Sequence, residues 1–350
     1  DALTLQGALR YEDYSVFGDT TNFKIAGLYR VTEGFKIRGA ISTGFHAPTA
    51  GQANITNVTT QINNGVLVDQ GTLPLSSTAG QIAGDFIEND GNGRPTLGPE
   101  DAVNMSIGVA FDLGETSWTV DYYNIEVEDR VALGADVDFL NALNFAGGGT
   151  TFTSVSEALT GLDASGVIDR QDFIGLDDLS AFRFFANSFD TETQGIDVVG
   201  RVGFDVWEGS SNVILSMNWN DTQVTNRGVT NPISAGRVAA LEDLLPKFKG
   251  NLSWTHSQGA LRSLVRVNYY GQWDDTGNGV TGVSNELLVD VELAYELGNG
   301  LELIGGVSNL FDTYNDKNPA ALSVGQQYPE SGPFGMNGGQ WYVKAKYSFE

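Results

Sequence analysis

The stretch Phe35–Thr49, FKIRGAISTGFHAPT, decides the fold of this chain. In its first eleven residues, apolar or small side chains such as Ile37 alternate with a second set that includes Lys36 and Arg38. A period of two places both charges on one side of an extended chain and the large apolar groups on the other. The stretch therefore predicts a strand with one face in an apolar medium and one face in a polar medium. The strand ends at His46, where a long, polar and glycine-rich segment begins.

The same alternation recurs along the rest of the chain and predicts twelve strands in all. The predicted strands are Leu3–Tyr11, Phe23–Val31, Phe35–Phe45, Val103–Leu113, Trp118–Val131, Ile196–Val206, Val213–Trp219, Phe248–Trp254, Leu261–Tyr270, Leu287–Leu297, Leu301–Asn309 and Trp341–Phe349. The pattern therefore indicates an all-β fold.

The connections between the strands fall into two classes that alternate strictly. One class is short, as at Glu33-Gly34, and the other is long and polar, as from Ala132 to about Thr193. Connections sorted in this way are typical of a transmembrane antiparallel up-and-down β-barrel with short periplasmic turns and long extracellular loops. Ten residues of about 3.3 Å each, tilted by about 40°, span roughly 25 Å of hydrocarbon. Because a carboxylate in hydrocarbon is costly, Asp290 is expected to face the barrel interior.

Composition narrows the classes of function. The 350 residues include 19 Lys and Arg against 44 Asp and Glu, a formal net charge of −25, which argues against a nucleic-acid partner. The absence of cysteine excludes disulfides and cysteine-ligated zinc or iron–sulfur sites. No run of eighteen apolar residues is present, so the sequence predicts no transmembrane helix, whereas strands of about 9–11 residues can still span a bilayer.

Catalysis has little support in the sequence. The two histidines are His46, at the end of a strand, and His256, in a predicted periplasmic turn where we expect it to be solvated. Neither has an evident serine or aspartate partner, and a thiol mechanism needs a cysteine. We therefore predict that the chain is not an enzyme and has no catalytic residues.

Six motifs in these strands and their flanks resemble those of TonB-dependent outer-membrane receptors. They follow the order of the family and cover nearly the whole chain. They are Arg38–Thr49 (RGAISTGFHAPT), Leu97–Glu100 (LGPE), Asp121–Val131 (DYYNIEVEDRV), Asn187 with Thr193–Asp197 (TQGID), Leu245–Phe248 (LPKF) and Gly306–Tyr314 (GVSNLFDTY). The first motif departs from the family at His46, where arginine is usual.

The resemblance implies that the chain is part of a larger barrel. The barrel of the family has about 22 strands around an N-terminal plug that carries the TonB box. We expect residues 1–350 to be a single domain portion that forms about the last twelve strands. The sequence contains neither a plug nor a TonB box, and we expect these parts and the earlier strands to lie upstream or in another chain.

The resemblance also implies a function, which is TonB-dependent active import of a scarce nutrient across the outer membrane of a Gram-negative bacterium. The implied partners are TonB, which acts through the plug, a small nutrient substrate, outer-membrane lipid and lipopolysaccharide. The barrel assembly machinery is a further partner, because Tyr347 and Phe349 resemble its C-terminal signal, although Glu350 follows here. Ferric siderophores, cobalamin, oligosaccharides and small aromatic compounds all remain open as substrates.

Ligand contacts in this family come from the plug, the inner wall and the outer loops. In this sequence the resemblance points to residues of the wall and the rim. These candidate substrate-binding residues are His46, Tyr123, Phe184, Asn187, Tyr270 and Trp273.

Two loop segments have oxygen-bearing side chains at spacings that suit calcium. The first supplies Glu88, Asn89, Asp90 and Asn92 around glycines, and the second, Asp163–Asp169, resembles half of an EF-hand loop. Turn chemistry explains both segments without a metal. We expect no cofactor other than this possible Ca²⁺ in an extracellular loop.

Three other readings of the sequence remain open. The strands alone could form a passive porin or a smaller, self-closed barrel. An outer-membrane enzyme would need a serine–histidine or aspartate–histidine set at the rim. A secreted soluble β-protein would fold without detergent.

Overall fold

We describe the fold from a computed structural model of the chain, which covers residues 2–14, 17–63, 66–230, 232–276, 279–319 and 321–349. The strands, in chain order, are β1 (Leu3–Tyr14), β2 (Gly18–Thr32), β3 (Phe35–His46), β4 (Asn57–Asn63), β5 (Val66–Thr72), β6 (Glu100–Leu113), β7 (Thr116–Leu133), β8 (Val137–Asp138), β9 (Leu179–Arg183), β10 (Phe185–Val206), β11 (Gly209–Asn226), β12 (Phe248–Gln258), β13 (Leu261–Tyr270), β14 (Trp273–Asp275), β15 (Val280–Val283), β16 (Glu286–Gly298), β17 (Leu301–Ser308) and β18 (Gln340–Tyr347).

The helices are fewer and lie in the longer connections. They are α1 (Ala50–Asn54), α2 (Thr78–Ile87), α3 (Phe139–Ala146), α4 (Val155–Ala164), α5 (Ala235–Asp243) and α6 (Ala321–Val324), with a π-helical turn at Glu88–Asn92 and a 3-10 turn at Arg170–Phe173. None of the described helices is long and apolar enough to cross a membrane.

Twelve strands form one antiparallel main sheet in the order β1-β2-β3-β6-β7-β10-β11-β12-β13-β16-β17-β18. All twelve predicted strands are present in it, and the all-β fold class is confirmed. Several strands are longer than their alternating segments. Strand β10 begins at Phe185 rather than at Ile196, because its upper part continues to pair with β7 as far as Leu133. The last strand ends at Tyr347 rather than at Phe349.

The two faces of the main sheet differ as the alternation predicts. Leu5, Ile25 and Ile107 lie on one face, with exposed fractions of 71%, 58% and 58%. The opposite face carries the ion pair between Arg38 and Asp121. A broad apolar face of this kind suits hydrocarbon better than water. Strands β1 and β18 are the two edges of the sheet, and within the described residues they do not pair with each other.

The two longest connections fold together, whereas the sequence predicts polar loops there. We call the described parts of residues 57–94 and 134–184 the loop module. Its sheet has the order β4-β5-β9-β8, and the parallel pairing of β5 with β9 joins one connection to the other. Helix α3 packs against α2, α4 and β9. Large side chains that are fully buried fill the space between these elements, and they are Phe139, Leu143, Leu159, Leu162, Phe173, Phe182 and Phe184.

Each main helix of the loop module begins at a short polar residue. The side chain of Ser77 accepts a hydrogen bond from the backbone nitrogen of Gly80, and Asp138 and Ser154 cap α3 and α4 in the same way. Such a cap satisfies one of the backbone N–H groups that the first helical turn leaves without a partner. The caps therefore explain where these helices start inside connections that are otherwise polar.

Candidate functional site

Hydrogen bonds and ion pairs connect polar side chains on one face of the main sheet. We call this face, which carries Arg38 and Asp121, the inner wall. Nε and Nη2 of Arg38 donate to the two carboxylate oxygens of Asp121, the former at 2.7 Å. Nδ2 of Asn268 donates to Oδ2 of Asp290 at 3.1 Å, so Asp290 has the inward position that its charge predicts. A wall with paired carboxylates on one face and apolar side chains on the other is what a lipid-embedded barrel needs.

Two of the predicted substrate residues, Tyr123 and Tyr270, lie on the inner wall. Oη of Tyr123 accepts a hydrogen bond from Nδ2 of Asn220 at 2.9 Å. The ring of Tyr123 lies over Gly195, where a Cβ atom would come within 2.1 Å of the ring. Tyr270 packs against Phe334 of the last long connection, with ring centroids 5.4 Å apart. Both residues stay predicted substrate contacts.

Asn187 has a structural role that explains two of the motifs. Its Oδ1 accepts from the backbone nitrogen of Gly98 at 2.6 Å, and its Nδ2 donates to the carbonyl oxygens of Gly98 at 3.1 Å and Asp129 at 2.5 Å. Glu100, in the same LGPE motif, accepts from the backbone nitrogen of Val131 at 2.7 Å. These bonds tie the segment before β6 to the upper ends of β7 and β10. The oxygen and the nitrogen of the Asn187 side chain therefore both form hydrogen bonds within the protein. Contact between Asn187 and substrate stays a prediction.

Phe184 and Trp273 are core residues rather than rim residues. Phe184 is 1% exposed in the loop module and packs against Phe182, with centroids 6.4 Å apart. Trp273 is 4% exposed and belongs to a separate small cluster with Val280 and Val283. The connections that hold these two rings fold around them, although Trp273 also lines a pocket with Phe248 and Tyr269. We therefore leave both out of the site proposed below.

His46 is at the outer rim, as the sequence predicts. It lies at the end of β3 with 61% of its side chain exposed, and its Nδ1 is 3.8 Å from Oε2 of Glu100 on the neighbouring strand. The imidazole is thus accessible to a ligand while one of its nitrogens lies near a carboxylate. Its contact with substrate stays a prediction.

The prediction that His256 is solvated and lacks a partner is wrong. His256 lies in β12 and is only 9% exposed. Its Nδ1 is 2.9 Å from Oγ of Ser211, to which Nε1 of Trp254 donates at 3.2 Å. Its ring packs against Trp207, with centroids 5.8 Å apart. The sequence did not reveal this pair, because the contact depends on the register of β11 against β12.

Two features of the Ser211–His256 pair disfavour catalysis. By strand alternation both residues share a face with Leu215 and Leu252, which is the apolar outer face. Nε2 of His256 is buried and has no hydrogen-bond partner among the described residues. A nucleophilic pair needs an oriented base that substrate can reach. The pair is better explained as a polar contact inside an aromatic cluster of the kind found where barrels meet the membrane interface.

The first predicted calcium segment is the π-helical turn that follows α2. Nη1 of Arg94 is 3.4 Å from Oε2 of Glu88 and also pairs with Asp85. The hydrogen bond to Asp85 raises the pKa of Arg94. The guanidinium, which is charged at any ordinary pH, places a positive charge beside the turn. In the part of the chain that the structure describes, no three His, Cys, Asp or Glu side chains form a metal-binding group. Calcium at Glu88, Asn89, Asp90 and Asn92 stays a prediction that a calcium titration can test.

The second calcium segment uses its carboxylates in local structure. Oδ1 of Asp163 accepts from the backbone nitrogen of Arg170 at 3.0 Å, and Oδ1 of Asp169 accepts from that of Gln171 at 2.9 Å. These bonds connect the end of α4 to the 3-10 turn. They agree with the explanation by turn chemistry.

The predicted assembly signal lies at the end of β18. The rings of Tyr347 and Phe349 are in contact, with centroids 4.7 Å apart, and they are 53% and 88% exposed. Exposed rings at a strand end are accessible to another protein. Recognition by the assembly machinery stays a prediction.

A cavity that the sequence did not indicate lies where three long connections meet, and we call it the rim cavity. Its volume is about 690 Å³. It is lined by Gln52, Val131, Ala132, Leu133, Gly134, Ala135, Asp136, Arg183, Phe185, Ser234 and Arg237. No local signal marks it, because its lining comes from segments far apart in the chain.

Comparison with known proteins shows what this arrangement is similar to. A model of the family described as TonB dependent receptor-like, beta-barrel matches residues 1–310. A search of curated proteins finds no match.

Solved structures of similar fold are receptors and a transporter of low sequence identity. The siderophore receptor PirA from Pseudomonas aeruginosa is 15% identical, with a TM-score of 0.55, over 100% of this chain and 46% of that one. A mutant of the ferric enterobactin receptor PfeA from the same organism is 16% identical, with a TM-score of 0.62, over 99% and 43%. The FrpB iron transporter from Neisseria meningitidis is 13% identical, with a TM-score of 0.56, over 100% and 43%.

This chain thus spans less than half the length of the structures it resembles. The match to the family nevertheless covers most of its residues, and the similar structures share its fold. The chain belongs to the TonB-dependent receptor β-barrel family, whose members are outer-membrane transport receptors.

Proposed function

We propose that the main sheet forms part of the barrel wall of a receptor that imports a small nutrient across the outer membrane in a TonB-dependent manner. The observation that carries this proposal is the two-faced main sheet, in which exposed apolar residues such as Leu5 lie opposite hydrogen-bonded charges such as Arg38. A soluble sheet would cover that apolar face, whereas a membrane wall needs it. Family membership supports the same function.

In this proposal the wall is a rigid scaffold. Pairing between the twelve strands gives the backbone N–H and C=O groups of the wall their hydrogen-bond partners within the hydrocarbon. The paired side chains of the inner wall add further hydrogen bonds between strands. TonB acts through a plug rather than on the wall itself. The short turns face the periplasm, and the loop module and the rim cavity face the outside, where nutrient arrives. Outer-membrane lipid and lipopolysaccharide contact the apolar face, and the assembly machinery reads Tyr347 and Phe349.

A passive porin made from these strands alone is less well supported. A self-closed barrel needs its first and last strands to pair, because an open edge in hydrocarbon leaves backbone groups unsatisfied. Strands β1 and β18 are instead the two unpaired edges of the described main sheet. We therefore favour a larger plugged barrel over a porin.

Nutrient-limited growth tests the proposed import. The gene that encodes the chain is deleted in its own bacterium, and growth is measured with iron and supplied siderophores, cobalamin, oligosaccharides or small aromatic compounds as the limiting nutrient. We expect a defect on one of these nutrients that matches the defect of a strain lacking TonB. Equal growth of the deletion strain and its parent on every nutrient would contradict import.

Conductance separates the receptor from the porin. The natural polypeptide is purified from detergent-solubilised outer membranes and inserted into a planar bilayer. We expect a heat-modifiable band on a gel and almost no steady current, since a plug blocks the lumen. A steady open-channel current would favour the porin.

A further inference from the structure

The rim cavity has the size and position of a ligand site. Its volume of about 690 Å³ falls within the range of roughly 300–1,000 Å³ that is usual for pockets that bind small molecules. Gln52 comes from the first long connection, Asp136 and Arg183 from the second, and Arg237 from the third. Three connections that are distant in sequence therefore build one concave surface at the outer end of the main sheet.

The charge of this cavity is opposite to that of the chain. The lining includes two arginines, Arg183 and Arg237, and one carboxylate, Asp136. The whole chain has 19 basic residues against 44 acidic ones. Nε of Arg183 is 3.9 Å from Oδ1 of Asp136. The guanidinium of Arg237 has no hydrogen-bonded or ionic partner among the described residues, so one cation of the cavity stays unneutralised.

Both arginines are held by folded elements. Arg183 ends β9 between Phe182 and Phe184, which are 0% and 1% exposed, so the core of the loop module fixes its backbone. Arg237 lies in the first turn of α5, where its backbone nitrogen donates to the cap Ser234 at 3.1 Å. The backbone of each arginine is therefore fixed, while the side chains remain accessible to a ligand, with 43% of the Arg183 side chain exposed. A site whose backbone is already ordered loses less entropy when a ligand binds.

Apolar side chains form one part of the remaining lining, beside polar groups such as Gln52 and Ser234. Val131, Ala132 and Leu133 come from the upper end of β7, and Phe185 comes from the start of β10. A guanidinium pairs best with a planar oxyanion such as a carboxylate, and an apolar wall favours a hydrocarbon body over a fully hydrated inorganic ion.

We propose that the rim cavity binds a small organic anion, with its carboxylate paired to Arg183 and Arg237 and its apolar body against Val131–Leu133 and Phe185. Binding itself is independent of transport. The role of this anion as the imported nutrient rests on the function proposed above.

Calorimetric titration of the full, natural protein in detergent tests the cavity. The probes are benzoate, phthalate and citrate, each compared with its methyl ester and with inorganic phosphate. We expect at least one carboxylate to bind more tightly than its ester and more tightly than phosphate. Its affinity should fall as salt is raised, because ions screen exposed charges.

Arginine variants assign the binding to the cavity. We expect R237Q to weaken the best carboxylate about tenfold, since a hydrogen bond between charged groups is lost, and R183Q/R237Q to abolish the preference over the ester. The matched control is R30Q. It removes the same charge at the short-turn end of β2, away from the rim cavity, and should leave the affinity unchanged. Equal binding of acid and ester, tighter binding of phosphate, or an affinity that R183Q/R237Q does not change would overturn the proposal.

The binding experiment and the growth experiment test separate proposals, and either proposal can be contradicted without the other. If the carboxylate binds in an arginine-dependent way but the deletion strain grows like its parent on every nutrient, the cavity proposal stands and import fails. If the growth defect appears but no carboxylate is preferred, import stands and the cavity proposal fails.

Discussion

Arg38 on β3 and Asp121 on β7 form a bidentate ion pair across the strand that lies between them. Both residues are in register with Gly108 of β6, so the two side chains meet directly above that glycine. A Cβ atom at Gly108 would lie 1.9 Å from Oδ1 of Asp121. The pair can therefore exist only because the central strand has no side chain at this position.

We expect Gly108→Ala to destabilise the wall. The added methyl group must displace the carboxylate of Asp121 and break its geometry with Arg38, and overpacking of this kind costs about 1–3 kcal/mol. The measurement is the temperature at which the folded band disappears on a heat-modifiability gel. The control is Gly305→Ala in β17, where a Cβ atom meets nothing within 4 Å. Equal transition temperatures for the two variants would contradict the explanation.

We expect Asn187→Asp to loosen the segment that precedes β6. A carboxylate has no N–H to donate to the carbonyl oxygens of Gly98 and Asp129, and it would place a negative charge beside both. The free energy of unfolding should fall by about 1 kcal/mol, as is typical when a hydrogen bond is lost at a half-buried site. Hydrogen exchange at the backbone amides of Gly98 and Glu100 should become faster. The control is Asn212→Asp, at an exposed site in β11. Equal exchange rates in the two variants would contradict this structural role of Asn187.

We expect Phe139→Ala to unfold the loop module while the main sheet stays intact. Phe139 is 0% exposed and packs against Phe182 at 5.4 Å and Phe173 at 6.2 Å between ring centroids. Emptying such a site costs about 3–5 kcal/mol. Added protease should then cut residues 134–184 on intact cells, while heat-modifiability persists. Ile174→Ala, which removes a 73% exposed side chain in the same module, should remain resistant. If the variant lost both its protease resistance and its heat-modifiability, the loop module and the main sheet would unfold as one unit, and the prediction would be wrong.

We expect Glu157 to make the loop module less stable in acid. Its carboxylate accepts from the backbone nitrogen of Thr153 at 2.9 Å and from Oγ1 of Thr153 at 2.7 Å, and these bonds lower the pKa of Glu157. A lowered pKa contributes stability above the pKa of an unfolded glutamate, about 4.3, and this stability is lost as pH falls through the folded value. Protease resistance of the wild type should therefore fall towards that of Glu157→Gln below about pH 4. A constant difference between the two from pH 7 to pH 3 would refute this assignment.

Local sequence was sufficient for the main sheet. Alternation at every second residue located all twelve strands, and the alternating short and long connections indicated their antiparallel order. Each of the twelve strands pairs with the next of the twelve along the chain. The inward position of Asp290 followed from the cost of a charge in hydrocarbon alone.

The candidate site was predicted only in part. His46 and Tyr123 lie at the rim and on the inner wall as expected, because each belongs to an alternating strand whose faces are defined by its own residues. Phe184 and Trp273 lie in cores, because the loops around them fold. The partner of His256 depends on register between strands, which periodicity does not specify.

The sequence by itself determined the strands, their faces and their order, since these depend on neighbours along the chain and on the two media that meet at the sheet. Only the tertiary structure decided that the long connections form the loop module and that Arg183 and Arg237 share a cavity. These contacts join residues separated by many positions. They arise from burying apolar surface between loops, a collective effect that no single segment records.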